Sequence, residues 1–231
     1  MGRDKGLAGP DVEVWRDRVA RAYMRLSRTP EHRLTWMTII GDALVVTLGD
    51  HSKVVEKAIT EVEAKVRSRC RRKLPGLRVR GVHEIDVIAP AVGHLGAHKV
   101  QTLARLGIDL SAVRADQRVL LVHLHCLIDC GQHLPDKVAE ELRAEFPGSR
   151  RIMGKPLEAG RSVLENVARL ASYSAKLKVA YCTAWGGVQT KYHELYEPEW
   201  VETMRQTLGT IGLDRLLFLH GDLVAGDLTN H

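Results

Sequence analysis

The stretch VLLVHLHCLIDC, residues 119–130, constrains the fold most tightly: it is a continuous apolar run of strand length that carries two imidazoles. Side chains alternate along a strand, so Val119, Leu121, His123, His125 and Leu127 share one face. Leu120, Val122, Leu124, Cys126 and Ile128 share the other, which is wholly apolar and has to pack on a core. His123 and His125 therefore turn together toward the opposite side. A lone histidine there reads most simply as a hydrogen-bonded core residue. Two on one face of an apolar strand favour convergence on a single point.

The chain has 231 residues, enough for one domain with a substantial core. Its formal charge of +6 suits a polyanionic partner. Most of the excess sits in one block, KVRSRCRRK and RVR between residues 65 and 80, with RLSR and GSRR as smaller clusters. Any one such block is more often a solvated face than a binding surface. Cys70, Cys126, Cys130 and Cys182 contain no CxxC pair and make no disulfide framework in a chain of this size, so a reducing, cytoplasmic setting is expected. The first residues, MGRDKGLAGP, lack the apolar core of a signal peptide, and no segment approaches a membrane span.

Periodicity gives the remaining elements. Val12, Trp15, Val19, Tyr23 and Leu26 predict an amphipathic helix over 11–28. Residues 33–49 predict a strand, or a hairpin broken at Gly41 and Asp42. A helix is expected from Ser52 to about Lys73, closed by Pro75 and Gly76. Residues 77–89 alternate, with Arg78, Arg80, Glu84 and Asp86 on an outer face. The segment around HKVQTLARL predicts a loop and a short helix. LPDKVAEELRAEF is a helix and SRRIMGKPL a short strand. In SVLENVARLASYSAKLK, Ser162 and Glu165 form a capping box and Val163, Val167, Leu170 and Leu177 a stripe, predicting a helix that runs through Lys176. Residues 181–231 give an aromatic-rich segment, a helix from about Pro198 and a polar tail.

The order β α β β α β predicts an α+β fold: a ferredoxin-like or RRM-like split βαβ core with an antiparallel sheet over residues 30–180, with helical extensions at both ends of a single domain spanning 1–231. In that topology the two central strands lie side by side and antiparallel, and these are expected to be the ones bearing Glu84 and the histidine pair. One carboxylate, Glu84 or Asp86, and two imidazoles on an open sheet face can hold a divalent metal. Tyr173 and Lys176, in YSAK, stand at i and i+3 on a helix and share a face. A phenol needs a nearby cation to become a nucleophile, and Lys176 is positioned to be one.

HEID (83–86), HLH (123–125) and YSAK (173–176), in that order and on those elements, resemble the HUH endonucleases, in particular the single-tyrosine rolling-circle replication initiators. Arg169 stands where two-tyrosine members carry a second tyrosine. The resemblance implies that His123, His125 and Glu84, with Asp86 as the alternative third ligand, hold Mg²⁺ or Mn²⁺. It implies that Tyr173 attacks a DNA phosphate to leave a 5′-phosphotyrosine and a free 3′-hydroxyl, assisted by Lys176. Arg67, Arg69, Arg71, Arg72, Lys73, Arg78 and Arg80 are then expected to hold single-stranded or hairpin DNA. Tyr181, Trp185, Tyr192 and Tyr196 could stack bases, though core packing is the favoured reading of each. A host helicase and polymerase are implied partners, since no GxxxxGK[ST] motif is present.

Three rival readings follow from the same residues. His94 and His98 with Cys126 or Cys130 could form a zinc site. The topology also suits a non-catalytic RRM-like module, although such modules present aromatic residues on the sheet. A transposase of the same superfamily would share the chemistry.

Overall fold

The computed structural model describes residues 10–89, 95–148, 150–182 and 192–221. In chain order its elements are Pro10–Met24 (α1), Leu34–Val46 (β1), Ser52–Lys73 (α2), Arg78–Ile88 (β2), Ala97–Arg105 (α3), Arg118–Asp129 (β3) and Pro135–Glu145 (α4). They continue with Ile152–Lys155 (β4), Val163–Ser174 (α5), Ala180–Cys182 (β5), Tyr192–Leu195 (β6), Pro198–Ile211 (α6) and Leu217–His220 (β7). The fold is α+β. Five strands form one sheet in the order β4-β1-β3-β2-β7, with every neighbouring pair antiparallel, and β5 pairs with β6 separately. Strands β4, β1, β3 and β2 reproduce the expected split βαβ order, with β3 at the centre.

Residues 34–46 make one strand. Gly41 is a bulge: Ile40 pairs with His123 and Asp42 with Val122, so one residue is extra. A Cβ at Gly41 would lie 2.9 Å from the Val122 carbonyl oxygen, so the close approach of the two strands requires glycine here.

The apolar face of β3 packs as its pattern demands. Leu124, Cys126 and Ile128 are buried with Val62, Val66 and Cys70 of α2 and with Val138, Ala139 and Leu142 of α4. Burial of a Leu or Ile side chain is worth roughly 1.5–3 kcal/mol. A one-residue slip would turn these side chains out and the imidazoles in, so the register is strongly held. His123 and His125 consequently face α1 and α5.

That second face is covered, contrary to the expectation of an open sheet with outward carboxylates. Trp15, Val19 and Tyr23 of α1, Leu26 just after it, and Val167, Leu170 and Ala171 of α5 are buried with Trp36, Val82 and Leu127. Every residue of β2 from Val79 onward is buried. The C-terminal segment, expected as a polar tail, supplies β7, which pairs with Val79–Val82 of β2. Among the described residues no helix is long and apolar enough to cross a membrane.

Candidate metal centre and nucleophile

Three side chains meet on the covered face. Glu84 on β2 pairs directly with His123 on β3, and His125 follows two residues on, pointing the same way. Their ligand atoms all lie within 4.8 Å of one another. Glu84 Oε2 is 3.1 Å from His125 Nε2 and 3.6 Å from His123 Nε2. The two Nε2 atoms are 3.1 Å apart, and the rings meet edge to face. Of the two carboxylates considered, the group contains Glu84. Asp86 is buried one step further along β2, opposite Leu121.

The polar atoms are short of partners. Both Glu84 oxygens and His123 Nδ1 are buried without an aligned hydrogen bond, even though His125 Nε2 is close to the carboxylate. Oε1 is in contact with the Lys178 ammonium, so the lone pairs of Oε2, beside both Nε2 atoms, are the ones left to a third species. Thr38 on β1, which pairs with His125, places Oγ1 2.9 Å from His125 Nδ1. When Nδ1–H donates to that hydroxyl, the Nε2 lone pair faces Glu84 and His123. Trp36 stacks on the His125 ring at 5.6 Å and 8° and fixes its plane.

Electrostatics keep the group in ligand form. Burial raises the Glu84 carboxyl, but the Lys178 ammonium and the two histidines outweigh it and hold the group well below the usual carboxylate range. Burial also lowers His125, favouring the neutral imidazole. Two imidazoles and one carboxylate fit a divalent ion such as Mn²⁺, with further positions left for oxygen ligands. The same donor set serves non-haem iron(II), so the neighbouring side chains have to distinguish the chemistries.

Tyr173 is the decisive neighbour. It is the penultimate residue of α5, 38% exposed, and its ring stands edge-on to His125 at 5.4 Å and to Trp36 at 6.1 Å. The capping box at Ser162 and Glu165 starts the helix as expected. Tyr23 of α1 secures its end. The Tyr23 hydroxyl lies 3.2 Å from the His125 carbonyl oxygen and 3.0 Å from Ser174 Oγ, so it can donate to the first while accepting from the second. The nucleophile candidate and the histidine strand are thereby tied through one buried phenol.

Lys176 does not share a helical face with Tyr173. Helix α5 ends at Ser174 and Lys176 is exposed two residues beyond it. The chain leaves the helix because Leu177 is drawn into the core and Ala180 begins β5. The cation at the site is Lys178: its ammonium contacts Glu84 Oε1, lies 4.0 Å from Asp86 Oδ1 and sits 5.6 Å above the Tyr173 ring.

The basic block is placed elsewhere. Helix α2 backs the sheet face opposite the imidazoles. Arg69 bonds to Glu141 and Glu145, and Arg72 to Glu145, which clamps α2 onto α4. Arg67 lies over Phe218 and donates to the Leu219 carbonyl. Arg78 joins Arg33 on the buried Asp129, and Arg80, 1% exposed, donates to the carbonyls of Val79, His220 and Gly221. All five make contacts within the protein, while Arg67 and Arg72 keep 39% and 56% of their side chains exposed. Arg71 and Lys73 are exposed, on an element remote from the imidazole face.

The described members of the zinc alternative do not come together. Cys126 and Cys130 lie in the core beneath α2 and α4, where burial pushes the Cys130 thiol up to about 12 and Cys126 higher. His98 is exposed on α3, and His94 lies outside the described residues. Tyr181 and Tyr196 are core side chains: Tyr181 bonds to Arg118 and Glu197, and Tyr196 accepts from the Val87 amide. Trp185 and the side chain of Tyr192 lie outside the described residues.

No protein-family model, curated protein or solved structure matches the chain.

Proposed function

We propose that this protein is a metal-assisted, tyrosine-dependent endonuclease of the HUH kind that nicks and rejoins single-stranded DNA, acting as a rolling-circle replication initiator. The observation that carries the reading is the position of Tyr173, edge-on to His125 at 5.4 Å beside a buried group of two imidazoles and a carboxylate. A non-haem iron site has no need of a partly exposed phenol and a lysine beside it. A phosphoryl-transfer site uses both.

His123, His125 and Glu84 would hold Mg²⁺ or Mn²⁺, which supplies Lewis-acid polarisation of the scissile phosphate. The Tyr173 oxygen attacks phosphorus in line; the P–O3′ bond breaks and the P–Oη bond forms. The phenolic proton is lost and the departing 3′ oxygen gains one, so the products are a 5′-phosphotyrosine and a 3′-hydroxyl. Attack by a 3′-hydroxyl on that linkage reverses the step and rejoins the strand. Lys178 places a positive charge beside both Tyr173 and Glu84. Lys176, exposed and three residues after Tyr173, is better placed than the α2 block to meet phosphates flanking the scissile one. The free 3′-hydroxyl can prime synthesis by a host polymerase, with unwinding supplied by a host helicase.

Incubation with end-labelled single-stranded DNA and Mn²⁺, followed by a denaturing gel, tests the reading. A covalent protein–DNA species that a chelator suppresses is expected. DNA binding with no adduct over a broad set of sequences would mark a binding module instead.

A further inference from the structure

Glu84 has two oxygens with different partners. Oε2 faces the two histidine Nε2 atoms at 3.1 and 3.6 Å, while Oε1 is in contact with the Lys178 ammonium. Both side chains are enclosed, with 5% of Glu84 and 9% of Lys178 exposed. Lys178 is held there by its neighbours in the chain: Leu177 and Ala180 are both buried, so the short link between α5 and β5 has little freedom to withdraw it. We propose that Lys178 is the residue that sets the metal affinity of this site, holding Glu84 to a single ligand oxygen and keeping the bound ion loose enough to accept phosphate. The proposal rests on reading Glu84, His123 and His125 as a metal site.

The argument is one of charge and geometry. A buried carboxylate requires a positive partner, and Lys178 already provides one. A divalent ion entering beside His123 and His125 therefore gains only part of the Glu84 charge and meets a like charge a few ångströms away in a weakly screening interior. With Oε1 engaged, Oε2 is the oxygen left to the ion. Fewer protein ligands mean more positions for oxygens of water or phosphate. The lysine and the ion would then present two positive charges to one phosphate, next to Tyr173. Removing the lysine charge hands the whole carboxylate to the metal.

Calorimetric Mn²⁺ titration of the chelator-treated full chain, paired with thermal unfolding before metal addition, tests this in the parent, Lys178→Met, Lys178→Arg and Lys178→Met/Glu84→Gln. Lys178→Met is expected to bind Mn²⁺ about tenfold tighter or more, and Lys178→Arg to stay within about threefold of the parent. Before metal is added, Lys178→Met should unfold at a lower temperature than the parent, and the double variant should recover part of that loss. A lysine with a purely structural role would lower stability and leave the Mn²⁺ affinity unchanged. Should Lys178→Met not fold, Lys178→Gln, which keeps a donor to Oε1 without the charge, carries the same expectation. Equal or weaker Mn²⁺ binding by the uncharged variant overturns the proposal while leaving the metal site standing. Tightening in Lys178→Arg to the same degree overturns it too, since charge would not be the cause. Lack of Mn²⁺ binding in parent and Lys178→Met alike overturns both the proposal and the metal reading.

Discussion

Glu84 and His123 face one another directly across β2 and β3, with Oε2 3.6 Å from Nε2, and this pairing decides which of two buried carboxylates joins the imidazoles. Asp86 points the same way but pairs with Leu121, one step beyond the histidines. Glu84→Ala should therefore abolish Mn²⁺ binding in a calorimetric titration, as should His123→Ala and His125→Ala. Asp86→Ala should retain it. Loss in Asp86→Ala with retention in Glu84→Ala would reverse the assignment.

Thr38 Oγ1 lies 2.9 Å from His125 Nδ1 and orients the ring from the side away from Glu84. Partners of this kind are commonly worth about 10–100-fold in metal affinity. Thr38→Val keeps the shape and removes the acceptor, so the Mn²⁺ dissociation constant should rise by about tenfold. An unchanged constant would show that Trp36 stacking alone holds the imidazole.

The outcome at Lys176 and Lys178 shows where the sequence was readable and where it was not. Alternation in residues 119–130 placed both histidines on one face, and split βαβ order then brought Glu84 to them, because both signals are local and repeat along the strand. The end of α5 gave no such signal. Ala175 and Lys176 are acceptable helix residues, and it is the burial of Leu177 and Ala180 that pulls the chain out of the helix and brings Lys178 in. Strand β7 carries no readable signal, because four residues, LFLH, are too few for a period. The arginines of α2 and β2 form one basic block in the sequence, yet Glu141, Glu145 and Asp129, distant in sequence, pair with three of them. Thr38 and Tyr23 could be assigned only once strand and helix partners were known.

Asp129 illustrates the cost of that internal use of arginine. Its carboxylate is fully buried, between Arg33 and Arg78 and the Gly131 amide. Burial raises the carboxyl, and the Arg78, Gly131 and Arg33 bonds outweigh it, so it titrates below its ordinary value. A lowered folded-state value means that this stabilisation is present above the unfolded-state value, near 3.9, and is lost as pH falls through the folded one. Asp129→Asn should cost about 2–3 kcal/mol at pH 7, less than a fully buried pair because both arginines are partly exposed. In urea unfolding the gap to the parent should narrow below pH 4. A gap independent of pH would point to shape rather than charge.

Lys176 offers a separate test of where DNA lies. On the proposed reading Lys176 meets phosphate near Tyr173, so Lys176→Ala should weaken single-stranded DNA binding and reduce the slope of log affinity against log salt by roughly 0.7, while adduct still forms at saturating DNA. An unchanged slope would remove this side chain from the interface.

The central claim is that Tyr173 is the nucleophile, and removal of its oxygen addresses that claim most directly. Tyr173→Phe keeps the ring that packs against His125 and Trp36, so folding, Mn²⁺ binding and DNA binding should match the parent. With labelled single-stranded DNA and Mn²⁺, the parent should give a covalent adduct whose phosphate maps by mass spectrometry to Tyr173, and Tyr173→Phe should give none. An adduct of parent yield in Tyr173→Phe would contradict the account and place the nucleophile elsewhere.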